Sequence, residues 1–395
     1  MRLPTRSAER NPMSSSAVPG SAALTSWAPP TSLTSSTDPV PSSRTRPQRF
    51  LALDGLRGIA ALIVLLIHVR ATPPLRWLAP HGFLAVDFFF TLSGFVIAHA
   101  YGTALASGAL SPGQFILRRY VRLWPAAALG TAFGVLSVLF GQVPIELATI
   151  PKFVGLSLLL IPSIGTGGEF FPLDPPLWSL FDEIMANAAF GLGLFRLRFR
   201  GLASTTIIAG ILTATMLVAT DGAQWASAQR VVYPYLAGTL AYELRIRGVR
   251  CRSPRLAWSL AAATMLGLWV PKPWRVSEAV IFSTLVLVVF PLTVWACADL
   301  DVPEHLRRFS KIAGDLSYPL YSVHYPLLLV ASAIRLNAAL AVTAIVLLSL
   351  AIGRYYDLPL RRWLLRVTKA QRLTQRSTET APGFGPTSTT SSAGR

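Results

Sequence analysis

The residues here whose types and spacing could do chemistry are ionisable side chains set inside long apolar runs. The first such run, Phe50 to His68, holds Asp54, Arg57 and His68. A charge at bilayer depth costs several kcal/mol unless it is paired or hydrated, so each such residue is a functional candidate. Asp54 and Arg57 lie three apart and can pair on one helix face. Arg57 and His68 lie eleven apart. At 3.6 residues per turn, eleven steps return to within roughly 20° of the start, so both share a face, separated by about 16 Å along the axis. That face must turn to an interior cavity rather than to lipid. A histidine there suits proton transfer, and an arginine suits stabilisation of developing negative charge. The plainer reading of His68, an interfacial histidine with satisfied hydrogen bonds, is weakened by the arginine on its face.

Other runs repeat the pattern. Asp87 sits in Gly82-Phe-Leu-Ala-Val-Asp-Phe-Phe-Phe-Thr-Leu-Ser-Gly-Phe95. It could meet His68 and hold its tautomer, or instead pair with Arg57 or cap a helix. Ser93 and Gly94 in that run read first as a site of close helix packing. Asp182 and Glu183 follow Trp178 in an apolar stretch that opens with Pro175 and Pro176. Tyr318, Tyr321 and His324 are spaced by three along one face of a helix interrupted by Pro319 and Pro326. The tyrosines read equally well as pocket lining or as an interfacial aromatic belt. In Phe115-Ile-Leu-Arg-Arg-Tyr-Val-Arg-Leu-Trp-Pro125, Arg119 and Arg122 share a face. Guanidinium forks suit phosphates, but spacing alone favours the simpler reading of a topology signal touching anionic lipid headgroups.

The elements that position these residues follow from composition. The chain has 395 residues, 52% hydrophobic and only 14% charged, against about 25% charged in soluble domains. That shortfall excludes a large solvated surface and points to an all-α, polytopic integral membrane bundle. The net charge of +18 comes from arginines clustered between apolar runs, so it reads as topology and not as nucleic-acid binding. Cys251 and Cys297 offer neither a disulfide framework nor metal-site spacing. Apolar runs lie near 50–69, 83–101, 123–141, 177–195, 203–219, 230–244, 256–270, 278–298, 317–334 and 338–358, which predicts about ten spans. A shorter run at 153–161 reads as re-entrant or interfacial, because a span there would turn every later arginine-rich loop outward. With ten spans, Arg118–Arg122, Arg196–Arg200, Arg245–Arg255 and Arg307–Lys311 all fall on the cytoplasmic side, and both termini are cytoplasmic. The segments 1–47 and 369–395, rich in Ser, Thr, Pro and Gly, read as disordered tails around a membrane domain at 48–368.

Together these stretches resemble the acyltransferase type 3 family, which includes bacterial O-antigen and exopolysaccharide O-acetylases. The resemblance rests on five stretches in order: Asp54-Gly-Leu-Arg-Gly through His68, Asp87 through Ile97, Arg118 through Pro125, Trp178-Ser-Leu-Phe-Asp-Glu183, and Leu316 through Pro326. It implies an acyltransferase of the bacterial inner membrane that uses a cytoplasmic acyl-CoA, acetyl-CoA above all, as co-substrate, with no tightly bound cofactor. The acceptor it implies is a hydroxyl of a carbohydrate or lipid-linked glycan. The family's Arg-then-His motif falls on Arg57 and His68, and its Arg-x-x-Arg motif on Arg119 and Arg122. The expected roles follow. Arg118, Arg119 and Arg122 bind the donor. His68 is the base or a transient acyl carrier, Asp87 or Glu183 orients it, and Arg57 stabilises charge. Asp54, Ser93, Trp178, Tyr318, Tyr321 and His324 line the pocket. Ile184 and Asn187 depart from the family's usual second acid and aromatic pair, which bears on the acceptor pocket. Buried Asp, Glu, Arg and His beside a proline-broken helix also suit a proton-coupled transporter of an organic anion or glycan precursor, or a non-catalytic sensor.

Overall fold

The computed structural model describes residues 49–69, 79–164, 169–222, 227–269, 271 and 276–379. Among the described residues the regular structure is entirely helical. In chain order the helices are α1 (Leu51–Val69), α2 (Ala85–Ala106), α3 (Pro112–Leu139), α4 (Ile150–Leu159), α5 (Leu177–Leu192), α6 (Phe199–Thr220), α7 (Ser227–Ile246), α8 (Pro254–Trp269), α9 (Glu278–Ser283), α10 (Phe290–Cys297), α11 (Glu304–Ala333), α12 (Ala338–Ala351) and α13 (Leu358–Glu379). A π-helical stretch, Thr284–Val289, joins α9 to α10, and a second, Ile352–Asp357, joins α12 to α13.

Local sequence sets several of these boundaries. Ser111 caps α3 by accepting from the Gln114 amide, and Pro112 occupies the first turn, where its missing N–H costs nothing. Asn337 caps α12 through the Ala339 amide. α4 stops at Leu160, whose backbone is left-handed at φ 54°. Its 10 residues reach about 15 Å, half of a hydrocarbon core, so the run at 153–161 is too short to span. It lies against α3, where Tyr120 Oη and Trp124 Nε1 both donate to the Leu158 carbonyl at 2.8 and 2.9 Å.

Among the described residues the apolar runs fall on helix, and 6 helical segments are long and apolar enough to cross a membrane: Leu51–Val69, Gly82–Ala106, Pro112–Leu139, Phe199–Thr220, Glu278–Cys297 and Ala338–Thr368. α5 and α8 are 16 residues each, short of a full span. α7 and α11 are long, but the polar residues they bring to the interior lower their hydropathy. At the carboxyl end helix extends past residue 369. α13 continues to Glu379 through Lys369-Ala-Gln-Arg-Leu-Thr-Gln-Arg376, a run dominated by good helix formers. The tail at 1–47 and residues 380–395 lie outside the described residues.

The bundle is organised by α1 lying along α11 and α2 along α7, with α3 and α12 also against α11. The α2–α7 crossing is backbone on backbone. A Cβ added to Gly94 would fall 2.0 Å from the Tyr235 carbonyl oxygen, and one added to Gly238 would fall 1.9 Å from that of Thr91. Only glycine permits this approach. Gly94→Val is therefore expected to cost at least about 1–3 kcal/mol, the usual range for overpacking. Thermal unfolding in detergent should show a lowered midpoint; an unchanged midpoint would mean that the two backbones can separate freely.

Candidate active site

α11 is the spine of the site. Arg57 on α1 donates to it twice, from Nε to Ser317 Oγ at 2.9 Å and from Nη2 to the Gly314 carbonyl at 3.0 Å, and Nη2 also pairs with Asp54 Oδ1 at 3.0 Å. About three turns further along α1 and two along α11, His68 meets His324, with His68 Nδ1 3.2 Å from His324 Nε2. Both residues of α1 thus face α11, as their eleven-residue spacing predicts.

The hydrogen bonds assign the tautomers. His68 Nδ1 lies 2.8 Å from the Val64 carbonyl oxygen, and His324 Nδ1 lies 2.8 Å from that of Tyr321. Carbonyls only accept, so both Nδ1 atoms carry the proton. His324 Nε2 is then an acceptor facing His68 Nδ1–H, and the basic lone pair of the neutral His68 ring resides on Nε2. His324 is buried, whereas His68 is half-buried, with the Tyr325 ring edge-on at 5.2 Å.

Beside this pair a cavity of about 110 Å³ opens between α1, α2, α3, α5 and α11. Arg57, Arg119, Arg122 and Glu183 give it three cations against one carboxylate. α2 supplies an apolar wall from Val86, Phe89, Phe90, Val96 and Ile97, with the Ser93 hydroxyl set among them, residues at helical three- and four-residue spacing. Tyr318 and Tyr321 close the side towards α11. Tyr321 connects cavity and histidines: its hydroxyl is 2.6 Å from Ser179 Oγ, which also lines the cavity, and its ring centroid is 5.7 Å from that of His324. Tyr318 donates to the Leu123 carbonyl. Tyr321 is buried and Tyr318 half-buried, and both line the cavity.

Several expected placements are corrected. Glu183 Oε1 accepts from Arg119 Nη2 at 2.6 Å and from Ser93 Oγ at 3.0 Å. Ser93 is therefore a cavity residue, and the packing role belongs to Gly94 alone. Asp87, with no exposed surface, is held by Arg230, whose Nη2 lies 2.5 Å from Oδ2. Strong cations thus engage both carboxylates, and Val64 and His324 are among the groups that hold His68. Arg119, buried on Glu183, has its charge already answered. Arg118 is exposed and does not line the cavity. That leaves Arg122, a cavity residue that makes no hydrogen bond or ion pair with the described residues, as the cation of this motif open to a ligand. Asp54 does not line the cavity; it ties Arg57 to Arg49, whose Nη2 also reaches Asp315 at 2.8 Å. Trp178 likewise sits behind the wall, its ring 6.4 Å from that of Phe90 and 5.2 Å from the Arg230 guanidinium. Asn187 accepts from Tyr235 Oη of α7 at 3.1 Å and Ile184 is buried in the core; neither departing residue lines the cavity.

Comparison with known proteins gives the same reading. The model of a family described as an acyltransferase domain matches residues 50–353. The chain is 37% identical over 164 residues to Protein 2 in the picA locus of Rhizobium radiobacter, covering 38% of this chain and 84% of that protein. It is 28% identical over 305 residues to the exopolysaccharide production protein ExoZ of Rhizobium meliloti, covering 74% of this chain and 92% of the relative. A shorter stretch of 76 residues, 19% of this chain and 11% of the other, is 38% identical to the peptidoglycan O-acetyltransferase OatA of Listeria monocytogenes. No solved structure matches. A helical membrane bundle with these motifs in this order, matched over most of its length, belongs to the acyltransferase type 3 family.

Proposed function

We propose that this protein transfers an acyl group, acetyl in the first instance, from acyl-CoA to a hydroxyl of a cell-surface carbohydrate or lipid-linked glycan. The observation that carries the reading is the cavity itself: an excess of arginine charge, one arginine with no hydrogen-bond or ion-pair partner among the described residues, an apolar wall, and a histidine pair beyond its far side. The relatives named for exopolysaccharide production and peptidoglycan O-acetylation support the acceptor class.

In this reading Arg122 binds a phosphate of the donor, and the pantetheine arm lies along Phe89, Phe90 and Val96 towards Tyr321. His68 Nε2 takes the proton of the acceptor hydroxyl as its oxygen attacks the thioester carbonyl, or carries the acyl group transiently. Arg57, held by Ser317, Gly314 and Asp54 about three helical turns from His68, adds to the positive charge of the cavity that takes the donor. The thiolate leaves and takes up the proton, so the reaction needs no outside proton source. The positive-inside arginine pattern supports a bacterial inner-membrane protein with cytoplasmic termini, the donor entering from inside and the acceptor meeting His68 in the outer half.

The test is labelled acetyl-CoA with purified protein in lipid nanodiscs, following CoA release and label transfer to an extract of surface glycans. Arg122→Ala is expected to weaken CoA binding about tenfold or more, the worth of a charge-assisted hydrogen bond. Raised salt should weaken wild-type binding and affect the variant less. Unaltered affinity in Arg122→Ala would remove the donor from this cavity. Neither CoA binding nor turnover in the wild type would remove the reading itself.

A further inference from the structure

One buried acid plays no part in this scheme. Asp174 lies in the proline-framed loop Pro172-Leu-Asp-Pro-Pro176 ahead of α5, where its amide donates to the Phe171 carbonyl and its carbonyl accepts from Leu177. It is fully buried, and neither carboxylate oxygen has a hydrogen-bond partner among the described residues. Burial alone pushes its carboxyl well above the ordinary carboxylate range, with no neighbouring cation to oppose the shift. Tyr321 and Tyr325, which sense Asp174, and Glu169 beside Tyr325 carry no positive charge; Arg230 reaches Tyr321 but is not among the groups acting on Asp174. An ion so placed would cost several kcal/mol. A neutral acid costs far less, and unlike the anion it owns a proton to donate.

The place for that proton is visible from α3. A Cβ added to Gly130 would fall 2.5 Å from Asp174 Oδ2 and 2.2 Å from the Ser322 carbonyl oxygen, so both oxygens lie against the same glycine of α3 and neighbour one another. Ser322 stands four residues before Pro326, which has no N–H to return the helical hydrogen bond. A buried carbonyl deprived of its partner needs another donor. We propose that Asp174 is held as a neutral acid whose hydroxyl donates to the Ser322 carbonyl, closing the proline-broken turn of α11 immediately before His324. Asp174 is thereby a positioning residue: it fixes His324, and through His324 the tautomer and orientation of His68. Its role in catalysis rests on the reading of His68 as the base; its protonation does not.

The experiment separates the two. Infrared difference spectra of wild type against Asp174→Asn, in nanodiscs at neutral pH, should show a protonated-carboxyl C=O band in the wild type that the variant lacks. A carboxylate band in its place overturns the proposal whether or not the protein transfers acyl groups. Turnover then tests the positioning. Asp174→Ala is expected to lower kcat about tenfold, the value of one lost hydrogen bond, with KM for acyl-CoA unchanged. Asp174→Asn, whose amide restores a donor, should recover most of the loss. ¹⁵N-histidine spectra should shift in the alanine variant and return in the asparagine one. An asparagine variant as impaired as alanine, or an alanine variant as active as wild type, overturns the positioning role.

Discussion

His68→Ala is expected to lower acyl transfer by about 10²- to 10⁴-fold, the range that one positioned general base contributes, while CoA binding persists. The split follows from geometry. The donor cations Arg57 and Arg122 line the cavity, whereas His68 stands beyond Tyr321 and His324 and does not line it. Losing the imidazole removes the basic Nε2 without touching the donor's charge partners. His324→Gln makes the complementary case. It leaves Nε2 of His68 in place but replaces the acceptor that holds His68 Nδ1–H, so a smaller loss of about tenfold is expected. Rapid mixing with labelled acetyl-CoA measures both. Full transfer by His68→Ala would end its assignment as base or carrier. A burst of label on the wild-type protein, absent in His68→Ala, would assign it as carrier.

How much of this was legible in the sequence depends on how far apart the partners lie. Helical periodicity is local, so the common face of Arg57 and His68 on α1, and of Tyr318, Tyr321 and His324 on α11, could be read from spacing. What those faces meet could not. His68 and His324 are 256 residues apart, and nothing in either run states that they touch. Arg230 shows the same limit. As a sequence it was one more basic residue at the outer end of a run. In the fold α7 begins at Ser227, and Arg230 points inward onto Asp87. The usable signal was a mismatch: a carboxylate deep in an apolar stretch requires a cation, and the candidates are few. Arg118, Arg119 and Arg122 fail as a group for a related reason. Their spacing is compatible with one phosphate site, but Arg118, unlike Arg122, does not line the cavity, and α5 supplies Glu183 to occupy Arg119.

The largest stability effect is expected at the Asp87–Arg230 pair. Asp87 has no exposed surface, and Arg230 engages both of its oxygens, Nη2 at 2.5 Å from Oδ2 and Nε at 3.3 Å from Oδ1. The same guanidinium donates to the Phe83 carbonyl at 2.8 Å and stacks over Phe83 and Trp178 at 5.6 and 5.2 Å. Arg230→Ala removes the charge partner of a buried carboxylate, a change that typically costs about 3–5 kcal/mol. Arg230→Lys should not rescue it, because an ammonium cannot reproduce the two-pronged contact or the stacking. Removing both charges is different in kind. Asp87→Asn with Arg230→Met leaves no buried ion, so much of the lost stability should return. Thermal unfolding in detergent reads all three variants. A single variant as stable as wild type, or a double variant worse than both singles together, would contradict the account. Function should follow the same order. Trp178, beneath the guanidinium, is on the same helix as Glu183, which holds Arg119 at the cavity. Loosening the pair frees the start of α5 and with it the cavity wall, so CoA affinity should fall in Arg230→Ala and recover in the double variant. Stability lost without any change in affinity would show that α5 holds its place by packing alone.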